Sequence, residues 1–371
     1  MKYLIAAGGT GGHINPAIAV AEELRRRCPD AEILFVGTKK KMEAKLVPQA
    51  GFDFRSIEIS GFQRKLTPKN ILVNIKTAFL TLKATREAGE IIRSFSPDVA
   101  IGFGGYVSGP VIREAHKLGV RTVIHEQNAY PGIANKALAK QVDRVLLTSP
   151  EAEKYMECKN EPIVTGLPVR AAVLNADRAQ AREKLGVGNN ILVFSTGGSL
   201  GAKTINEVMT RIMISYKDTP GIRFIHGFGK YGAWVPEKLA AAGIEAGNER
   251  FDVREYIYNM DDCLAAADVV ISRAGASSVA EIEALGKASI LIPSPNVAEN
   301  HQYHNAMALV NGGAALIVEE KELAQNPDAV KDALEDLLSD PQRVISVGKN
   351  AKKMAFTDAK SRICDVIMSL A

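Results

Sequence analysis

Several features that would assign this chain to a function class are missing from its sequence. The four cysteines are scattered and form no C-x-x-C pair, so they indicate neither a zinc ribbon nor a disulfide framework. No run approaches the roughly 20 apolar residues of a membrane-spanning helix. The net charge of +4 is too small for a dedicated nucleic-acid-binding protein. We therefore expect reduced thiols, no nucleic-acid partner and only peripheral contact with a membrane. The cysteines are Cys28, Cys158, Cys263 and Cys364.

What is present is the composition of a globular protein with two domains. The 371 residues are 46% hydrophobic and 24% charged. Short apolar runs such as YLIAA, ILFV, DVAIGF and TVIH alternate with amphipathic stretches, and the rhythm restarts with NILVFS, IRFIHG, DVVIS and ASILIP. This alternation predicts α/β domains, each with a doubly wound parallel sheet. We place them at residues 1–165 and 166–345. The helical tail at 346–371 can pack anywhere, including back on the first domain.

The first glycine-rich motif, GGTGGH, occupies residues 8–13 between a predicted strand and a helix that we expect Pro16 to help start. Glycines let the backbone approach a phosphate, and a helix N-terminus adds partial positive charge. The motif lacks the third glycine and the acidic partner of a dinucleotide site, because Gly37 and Thr38 stand where the acid is expected, and it lacks the lysine of a P-loop. The alternative is a tight turn without a ligand.

His13 ends this motif at the carboxyl edge of the predicted sheet, where open α/β folds bind ligands. An imidazole there can accept a proton from an attacking hydroxyl. The alternative is a histidine that only packs the turn. A second loop contains Gly104, Gly105 and Tyr106, follows the DVAI strand and is expected beside the first. Two such loops predict a bound diphosphate.

The second half of the chain contains the same arrangement of predicted strand, glycines and helix. Ser199 follows two glycines after the NILVFS strand, and we expect it to bind a phosphate oxygen at a helix start. After the DVVIS strand, Glu281 lies one turn inside another predicted helix, where a carboxylate can bind both hydroxyls of a ribose. The alternative is a capping glutamate that interacts with Ser278 and the helix dipole.

Metal ligation is weakly supported. His301 and His304, with Glu299 nearby, have ligand-like spacing but no convincing further ligand, and a solvated helix face is favoured. No D-x-D pair occurs, so helix dipoles and Arg170 are expected to neutralise a leaving diphosphate.

A helix with an unusual surface is predicted within residues 62–86. Ile71, Ile75, Ala78 and Leu82 fall on one face, which we assign to the core. Lysines interleaved with apolar groups on the remaining surface predict docking on an anionic membrane leaflet. The alternative is a helix packed on both sides within the protein. The predicted membrane patch is Lys69, Leu72, Val73, Lys76, Phe79, Leu80 and Lys83.

Six motifs in register over essentially the whole chain resemble the MurG family of N-acetylglucosaminyltransferases: GGTGGHINPAIAVA, GFGGYVSGP, HEQNAYPGIANK, GLPVR, GGSLGA and RAGASSVAEI. The resemblance implies two Rossmann-like domains facing a cleft, the GT-B type. It implies inverting transfer from UDP-N-acetylglucosamine, bound by the C-terminal domain, to the muramoyl C4 hydroxyl of undecaprenyl-diphospho-N-acetylmuramoyl-pentapeptide, bound by the N-terminal domain, which completes lipid II. It also implies no cofactor and a peripheral place on the cytoplasmic face of the bacterial cell membrane.

The resemblance also carries over binding positions, with His13 as the expected base and the two N-terminal loops facing the acceptor diphosphate. One departure from the family is His301, which stands where members often carry a second glutamine, so one sugar-hydroxyl contact is open. The implied donor-binding residues are Thr10, Gly11, Gly12, Asn128, Arg170, Ser199, Ile257, Ala276, Ser277, Ser278, Val279, Ala280, Glu281 and Gln302.

Two alternatives share part of this pattern. A UDP-N-acetylglucosamine 2-epimerase has the same architecture and donor but needs no lipid acceptor. A peripheral scaffold would bind the nucleotide sugar without turnover. A dehydrogenase is disfavoured because the acid of the dinucleotide fingerprint is missing.

Overall fold

The computed structural model describes residues 1–61 and 67–371, and for residues 68–76 and 78 it describes the backbone only. The chain divides into two compact units. Unit 1 comprises Met1–Pro168 and Asp358–Ala371, and unit 2 comprises Val169–Thr357. The tail that we predicted at 346–371 is therefore divided between the units, because its first part continues a helix of unit 2.

Unit 1 is built on a parallel sheet of seven strands in the order β3-β2-β1-β4-β5-β6-β7. Its central strands are buried on both faces, which explains why they read as continuous apolar runs. The strands are β1 (Lys2–Ala6), β2 (Glu32–Thr38), β3 (Asp53–Ile57), β4 (Val99–Gly102), β5 (Arg121–Glu126), β6 (Arg144–Leu147) and β7 (Ile163–Val164). The helices are α1 (Gly11–Arg27), α2 (Glu43–Gln49), α3 (Pro68–Phe95), α4 (Ser108–Lys117) and α5 (Ile133–Ala139), with a 3-10 helix at Pro150–Tyr155.

Unit 2 is built on a parallel sheet of six strands in the order β10-β9-β8-β11-β12-β13. The strands are β8 (Ile191–Thr196), β9 (Ile222–Gly227), β10 (Phe251–Arg254), β11 (Val269–Ser272), β12 (Ala288–Leu291) and β13 (Leu316–Ile317). The helices are α6 (Ala171–Leu174), α7 (Arg178–Lys184), α8 (Lys203–Ser215), α9 (Trp234–Ala241), α10 (Met260–Ala266), α11 (Ala276–Leu285), α12 (His301–Asn311), α13 (Glu320–Leu323), α14 (Ala329–Leu338) and α15 (Pro341–Met354), with a 3-10 turn at Ala298–Asn300.

Each sheet reverses its strand order once, and the reversal positions the candidate sites. In unit 1 the order turns back between β1 and β4, and in unit 2 between β8 and β11. Open parallel sheets bind ligands beyond the carboxyl ends of the strands at such a switch point. The glycine-rich segments that follow β1, β4, β8 and β11 all lie there.

The last helix, α16 (Ala359–Met368), returns to unit 1 and packs against α1. Its buried residues Ile363 and Ile367 join the core on the α1 side of the sheet. Arg27 of α1 fixes the contact because its guanidinium donates to Asp365 Oδ1 at 2.5 Å and to Ser361 Oγ at 2.5 Å.

Two local expectations are wrong. Helix α1 begins at Gly11, so Pro16 lies inside the helix instead of at its start. The extended backbone of Thr10, after a left-handed Gly9, begins the helix earlier. Leu82 is 70% exposed and belongs to no core face. The buried stripe of α3 runs through Thr77, Ala84 and Ala88, and five residues from Thr77 to Leu82 turn the helix by about 140° away from it.

Candidate functional site

The two glycine loops of unit 1 lie against each other at the switch point. Gly9 and Gly105 have φ angles of 90° and 79°, in the left-handed region that favours glycine. A Cβ on Gly105 would lie 2.2 Å from the carbonyl oxygen of Gly8. The backbone of both loops therefore approaches as closely as glycine allows, and the amides of the first turn of α1 lie at the same edge.

A buried carboxylate braces the first loop. Glu43 of α2 accepts hydrogen bonds from the Gly9 amide at 3.2 Å, the Thr38 amide at 3.0 Å and the Thr38 hydroxyl at 2.6 Å. A Cβ on Gly8 or Gly37 would lie 2.7 Å or 2.5 Å from atoms of this side chain. The acid at this position thus comes from α2 and binds the protein's own backbone, where a dinucleotide enzyme would use one to bind ribose.

His13 lies in the first turn of α1 and is half-buried. Its Nδ1 atom lies 2.9 Å from Oε1 of Gln127, which is itself buried. Gln127 in turn contacts His125, a fully buried residue whose Nε2 atom lies 2.9 Å from the Gly166 carbonyl. Burial lowers the pKa of His125 to about 4, against a smaller upward effect of the Gly166 carbonyl, so this imidazole is neutral at neutral pH.

Asn128, one of the implied donor-binding residues, is held by its neighbour Glu126. The buried Glu126 carboxylate accepts from the amide and side chain of Asn128 at 3.0 and 3.2 Å. Its other oxygen accepts from the Gly132 amide at 3.1 Å and from Asn135 at 2.8 Å. These four bonds fix the segment after β5 in one conformation.

A cavity of about 290 Å³ opens beside the two glycine loops of unit 1. Lys41 supplies a cation to its rim, and the ring of Tyr106 packs over Gly61, where a Cβ would lie 2.5 Å from the ring. The lining residues are Gly9, Thr38, Lys41, Ile59, Ser60, Gly61, Tyr106 and Val107.

The equivalent edge of unit 2 also depends on a close glycine approach. Gly201 has a φ of 79°, and a Cβ on it would lie 2.0 Å from the Phe228 carbonyl oxygen. The Thr196 hydroxyl accepts from the Gly198 amide at 3.1 Å. Ser199 is exposed on this loop, four residues before α8 begins at Lys203, so it does not lie at the helix start as predicted.

Helix α11 presents its N-terminus at the same edge, immediately after β11. Gly275 precedes the helix and provides no side-chain cap to its first amides. Glu281 lies one turn inside, and its Oε1 accepts a hydrogen bond from Arg170 Nε at 2.7 Å. Because Glu281 is bound to Arg170, the alternative of a capping contact to Ser278 is not what the structure shows. The first turn comprises Ala276, Ser277, Ser278 and Val279, followed by Ala280.

Two more implied donor residues lie in unit 2. The structure pairs neither the amide nor the carbonyl of Ile257 with another described residue, and the side chain packs on Gly227, where a Cβ would lie 2.8 Å from it. Gln302, in the first turn of α12, accepts from the Ser294 amide at 2.9 Å. The residues before that helix, Glu299 and Asn300, have φ angles of 52° and 50°, a strained conformation of the kind that clusters at binding sites.

The described residues contain no group of three or more His, Cys, Asp or Glu side chains arranged to hold a metal ion. His301 Nδ1 lies 2.7 Å from the Ala298 carbonyl, so this ring contributes to the turn before α12.

The predicted membrane patch is described only in part. The side chains of Lys69, Leu72, Val73 and Lys76 lie outside the described residues. Phe79 is 69% exposed, and Leu80 is half-buried. Lys83 is exposed but donates to Glu58 at 2.5 Å, and this contact raises its pKa. In the parts of the chain that the structure describes, no helix combines the length and apolarity needed to cross a bilayer.

Sequence reasoning missed three residues that shape these sites: Glu43, His125 and Gln127. His125 and Gln127 stand in the HEQN segment, from which only Asn128 was selected. Glu43 was missed because its bond to the first loop joins residues 34 positions apart, and its bonds to Thr38, five positions away, follow neither helix nor strand periodicity.

Two doubly wound sheets, each with a glycine-rich loop at its switch point, are typical of enzymes that act on nucleotide-linked substrates. The chain belongs to glycosyltransferase family 28. The model of the family's N-terminal domain matches residues 3–147, and that of its C-terminal domain matches residues 192–363.

Individual relatives are similar over the full length. The UDP-N-acetylglucosamine--N-acetylmuramyl-(pentapeptide) pyrophosphoryl-undecaprenol N-acetylglucosamine transferase of Acetivibrio thermocellus is 42% identical, with 100% of this chain and 98% of the relative covered. The enzyme of the same name from Thermoanaerobacter sp. is 42% identical with both chains fully covered. The crystal structure of Acinetobacter baumannii MurG is 28% identical, covers 99% of each chain and superposes with a TM-score of 0.80. A putative UDP-N-acetylglucosamine 2-epimerase from Listeria monocytogenes, at 16% identity and a TM-score of 0.67 over 99% of this chain and 96% of its own, shares the fold alone.

Proposed function

We propose that this protein transfers N-acetylglucosamine from UDP-N-acetylglucosamine to the C4 hydroxyl of undecaprenyl-diphospho-N-acetylmuramoyl-pentapeptide. The full-length similarity to enzymes that are named for this activity supports the choice of substrates. The structural observation that carries the proposal is His13, which lies at the switch point of the first sheet with one ring nitrogen bonded to Gln127. The other ring nitrogen has no partner among the described residues.

Unit 2 is the donor-binding unit in this proposal. The N-terminus of α11 faces the diphosphate with the positive end of the helix dipole and with first-turn amides that have no partner in the described parts of the chain. Glu281 binds the ribose hydroxyls and the backbone of Ile257 meets the uracil. The side-chain oxygen of Gln302 accepts a hydrogen bond from the Ser294 amide, which leaves the NH₂ group to donate to a sugar hydroxyl.

Unit 1 is the acceptor-binding unit. The loop containing Gly105 and the first turn of α1 present backbone amides to the acceptor diphosphate, while the Gly9 amide is bound to Glu43. The neighbouring cavity of about 290 Å³, with Lys41 at its rim, accommodates part of the acceptor head group.

The reaction is a single displacement at the anomeric carbon. The muramoyl C4 oxygen attacks C1 of the donor sugar and forms the new glycosidic bond. The bond from C1 to the phosphate oxygen breaks, and UDP leaves with its electron pair. Nε2 of His13 accepts the hydroxyl proton, and the configuration at C1 is inverted.

The direct test incubates the protein with radiolabelled UDP-N-acetylglucosamine and a short-chain analogue of the lipid acceptor. Transfer predicts label in a β-linked disaccharide product and release of one UDP per transfer. The control omits the acceptor and follows the sugar nucleotide by proton NMR. Conversion of UDP-N-acetylglucosamine to its C2 epimer without acceptor would instead identify an epimerase, and binding without turnover would identify a scaffold.

We also propose that α3 contacts the cytoplasmic leaflet of the bacterial membrane. Phe79 and Leu82 are 69% and 70% exposed on one helix, which is unusual for large apolar side chains. Co-sedimentation with vesicles that contain anionic lipid is expected for the natural protein and reduced for the Phe79→Asp, Leu82→Asp double variant. Equal binding of both proteins would remove α3 from this role.

A further inference from the structure

Four groups of unit 1 form a continuous hydrogen-bonded chain that ends at His13. The Gly166 carbonyl lies 2.9 Å from His125 Nε2. Gln127 Nε2 lies 3.1 Å from His125 Nδ1 and 2.9 Å from the His125 carbonyl. Gln127 Oε1 lies 2.9 Å from His13 Nδ1. His125 and Gln127 are both buried, so water does not compete for their contacts with each other and with the Gly166 carbonyl.

The direction of the first bond is fixed by its acceptor. A carbonyl oxygen cannot donate, so the proton of this pair is on His125 Nε2. His125 is neutral because complete burial lowers its pKa to about 4. A neutral imidazole has one protonated nitrogen, and therefore Nδ1 of His125 is an acceptor.

The next two bonds follow from the first. The NH₂ group of Gln127 donates one hydrogen to His125 Nδ1 and the other to the His125 carbonyl. This orientation leaves the amide oxygen, Oε1, facing His13. Because Oε1 only accepts, the proton between these residues is on Nδ1 of His13.

We propose that Gln127 and His125 are positioning residues that hold His13 in the tautomer with its proton on Nδ1 and a lone pair on Nε2. The inference rests on the proposed function, in which Nε2 of His13 accepts the proton of the attacking hydroxyl. A histidine with the opposite tautomer presents an N–H to that hydroxyl and cannot act as the base. The Gly166 carbonyl, at the end of the chain opposite His13, fixes the direction of every hydrogen bond after it.

Packing around the two rings supports this fixed geometry. Gly104 lies against the Nδ1 edge of His13, and a Cβ there would be 2.8 Å from Nδ1 and 2.9 Å from Cε1. The ring of Phe103 stacks on His125 with centroids 5.5 Å apart and planes inclined by 30°. Packing therefore restricts the position of both imidazole rings, and the hydrogen bonds determine which nitrogen of each ring carries the proton.

The first experiment reads the tautomer directly. Long-range proton–nitrogen NMR spectra of the ¹⁵N-histidine-labelled full chain at pH 8 distinguish protonated from unprotonated ring nitrogens, and His13→Ala assigns the His13 signals. We expect a protonated Nδ1 for His13 and a protonated Nε2 for His125. In Gln127→Met, which has similar length and no hydrogen-bonding group, we expect His13 to lose its preference for Nδ1.

The second experiment measures transfer in the same variants. Gln127→Met is expected to lower kcat by about tenfold to a hundredfold, a part of the total that general-base catalysis supplies, with KM for UDP-N-acetylglucosamine unchanged. His125→Phe keeps a ring against Phe103 but removes both hydrogen bonds of the imidazole, and it is expected to act in the same direction. The matched control is Thr165→Val, which removes a hydroxyl that donates to the same Gly166 carbonyl at 3.3 Å and is expected to change neither readout.

The two experiments separate this inference from the proposed function. A protonated Nε2 on His13 in the natural protein, or an unchanged tautomer in Gln127→Met, overturns the inference even when sugar is transferred. The expected tautomers in a protein that transfers no sugar uphold the hydrogen-bonded chain and overturn the proposed function.

Discussion

The two units share a backbone arrangement at the sheet edge that carries the glycine loops, but in the proposed function they use it for different chemistry. Both sheets reverse strand order between their first and fourth strands in sequence. The loops after β1, β4 and β8 contain glycines with φ between 79° and 94°. Unit 1 presents a neutral chain of hydrogen bonds to His13 at this edge. Unit 2 presents an ion pair, Arg170 with Glu281, instead.

The difference shows which part of the sequence determines each task. In the proposed function, strand order and glycine determine where each phosphate-bearing substrate lies, since both features are shared by the two units. The polar residues that follow determine what happens to the ligand. A general base must be neutral, with a lone pair on the nitrogen that faces the attacking hydroxyl. A carboxylate that binds ribose exchanges its protein partner for the ribose hydroxyls.

The largest expected effect concerns His13. His13→Ala removes the proposed proton acceptor and is expected to lower kcat by about a hundredfold or more, within the range of general-base catalysis, because the attacking hydroxyl then has no acceptor for its proton. Binding of UDP, measured by calorimetry, is expected to stay unchanged because His13 is not among the implied donor-binding residues.

The control for this variant is His116→Ala, on α4 of the same unit, which is expected to retain full turnover. Normal turnover by His13→Ala would remove the contrast between a catalytic and a binding edge.

The next effect compares the tight glycines of both units. Gly105→Ala places a Cβ 2.2 Å from a backbone carbonyl oxygen, and Gly201→Ala places one at 2.0 Å. Both positions also have a φ that is unfavourable for alanine. We expect each to lower the free energy of unfolding by about 2 to 4 kcal/mol, from left-handed strain plus overpacking. We expect Gly105→Ala to raise KM for the acceptor and Gly201→Ala to raise KM for UDP-N-acetylglucosamine.

Each unit offers a matched control. Gly119 and Gly221 have φ angles of 79° and 81° with no atom within 4 Å of a Cβ, so alanine there introduces strain alone. We expect urea unfolding to show a loss of about 1 to 2 kcal/mol for the controls. Equal losses in all four variants would show that close approach contributes nothing.

These loops also mark how far sequence reasoning reaches. Strands β1, β4, β8 and β11 are recognisable as apolar runs because both of their faces are buried, and the glycines after them follow from that placement. Strands β3 and β10 lie at sheet edges, where exposed positions admit polar residues such as those of DFRSI and FDVR, and no apolar run announces them.

The candidate sites divide in the same way. Glu281 could be selected from sequence because it lies a fixed distance inside a helix that follows a strand. The partner of His13 could not, since Gln127 is 114 positions away and meets it only when β5 is placed beside β4. Long-range polar partners depend on strand order, which periodicity does not supply.

A smaller effect compares the buried histidines of the units. Desolvation lowers the pKa of His125 in unit 1 and of His226 in unit 2 to about 4 each, with smaller upward effects of their hydrogen-bond partners. The unfolded chain binds protons near pH 6.5 where the folded chain does not, so stability is lost as pH falls from about 6.5 to about 4. We expect each histidine to account for about 2 kcal/mol of the loss at pH 5.

The measurement is the free energy of unfolding between pH 7 and pH 5 for the natural protein, His125→Phe and His226→Phe. Each variant is expected to show a shallower decline than the natural protein. A decline that is independent of both substitutions would assign acid sensitivity to other groups.

The donor edge is tested through Glu281. Glu281→Ala is expected to weaken UDP binding about tenfold, because a charged hydrogen-bond acceptor for the ribose is lost. Glu281→Gln keeps an acceptor without the charge and is expected to lie between the natural protein and the alanine variant. Unchanged UDP affinity in calorimetry would remove Glu281 from the ribose.

The smallest effect concerns the ion pair between Arg170 and Glu281, and it separates the contribution of the pair to folding from its proposed contribution to UDP binding. Arg170 is 53% exposed and Glu281 is 14% exposed, so solvent screens their attraction and Arg170→Ala is expected to lower the free energy of unfolding by less than about 1 kcal/mol. The same variant is expected to weaken binding of UDP more than of uridine. The Arg170 guanidinium is proposed to neutralise the diphosphate, which UDP carries and uridine lacks. A double-mutant cycle with Glu281→Ala measures the coupling, and a coupling above about 2 kcal/mol in stability would make the pair a structural contact and end the contrast with unit 1.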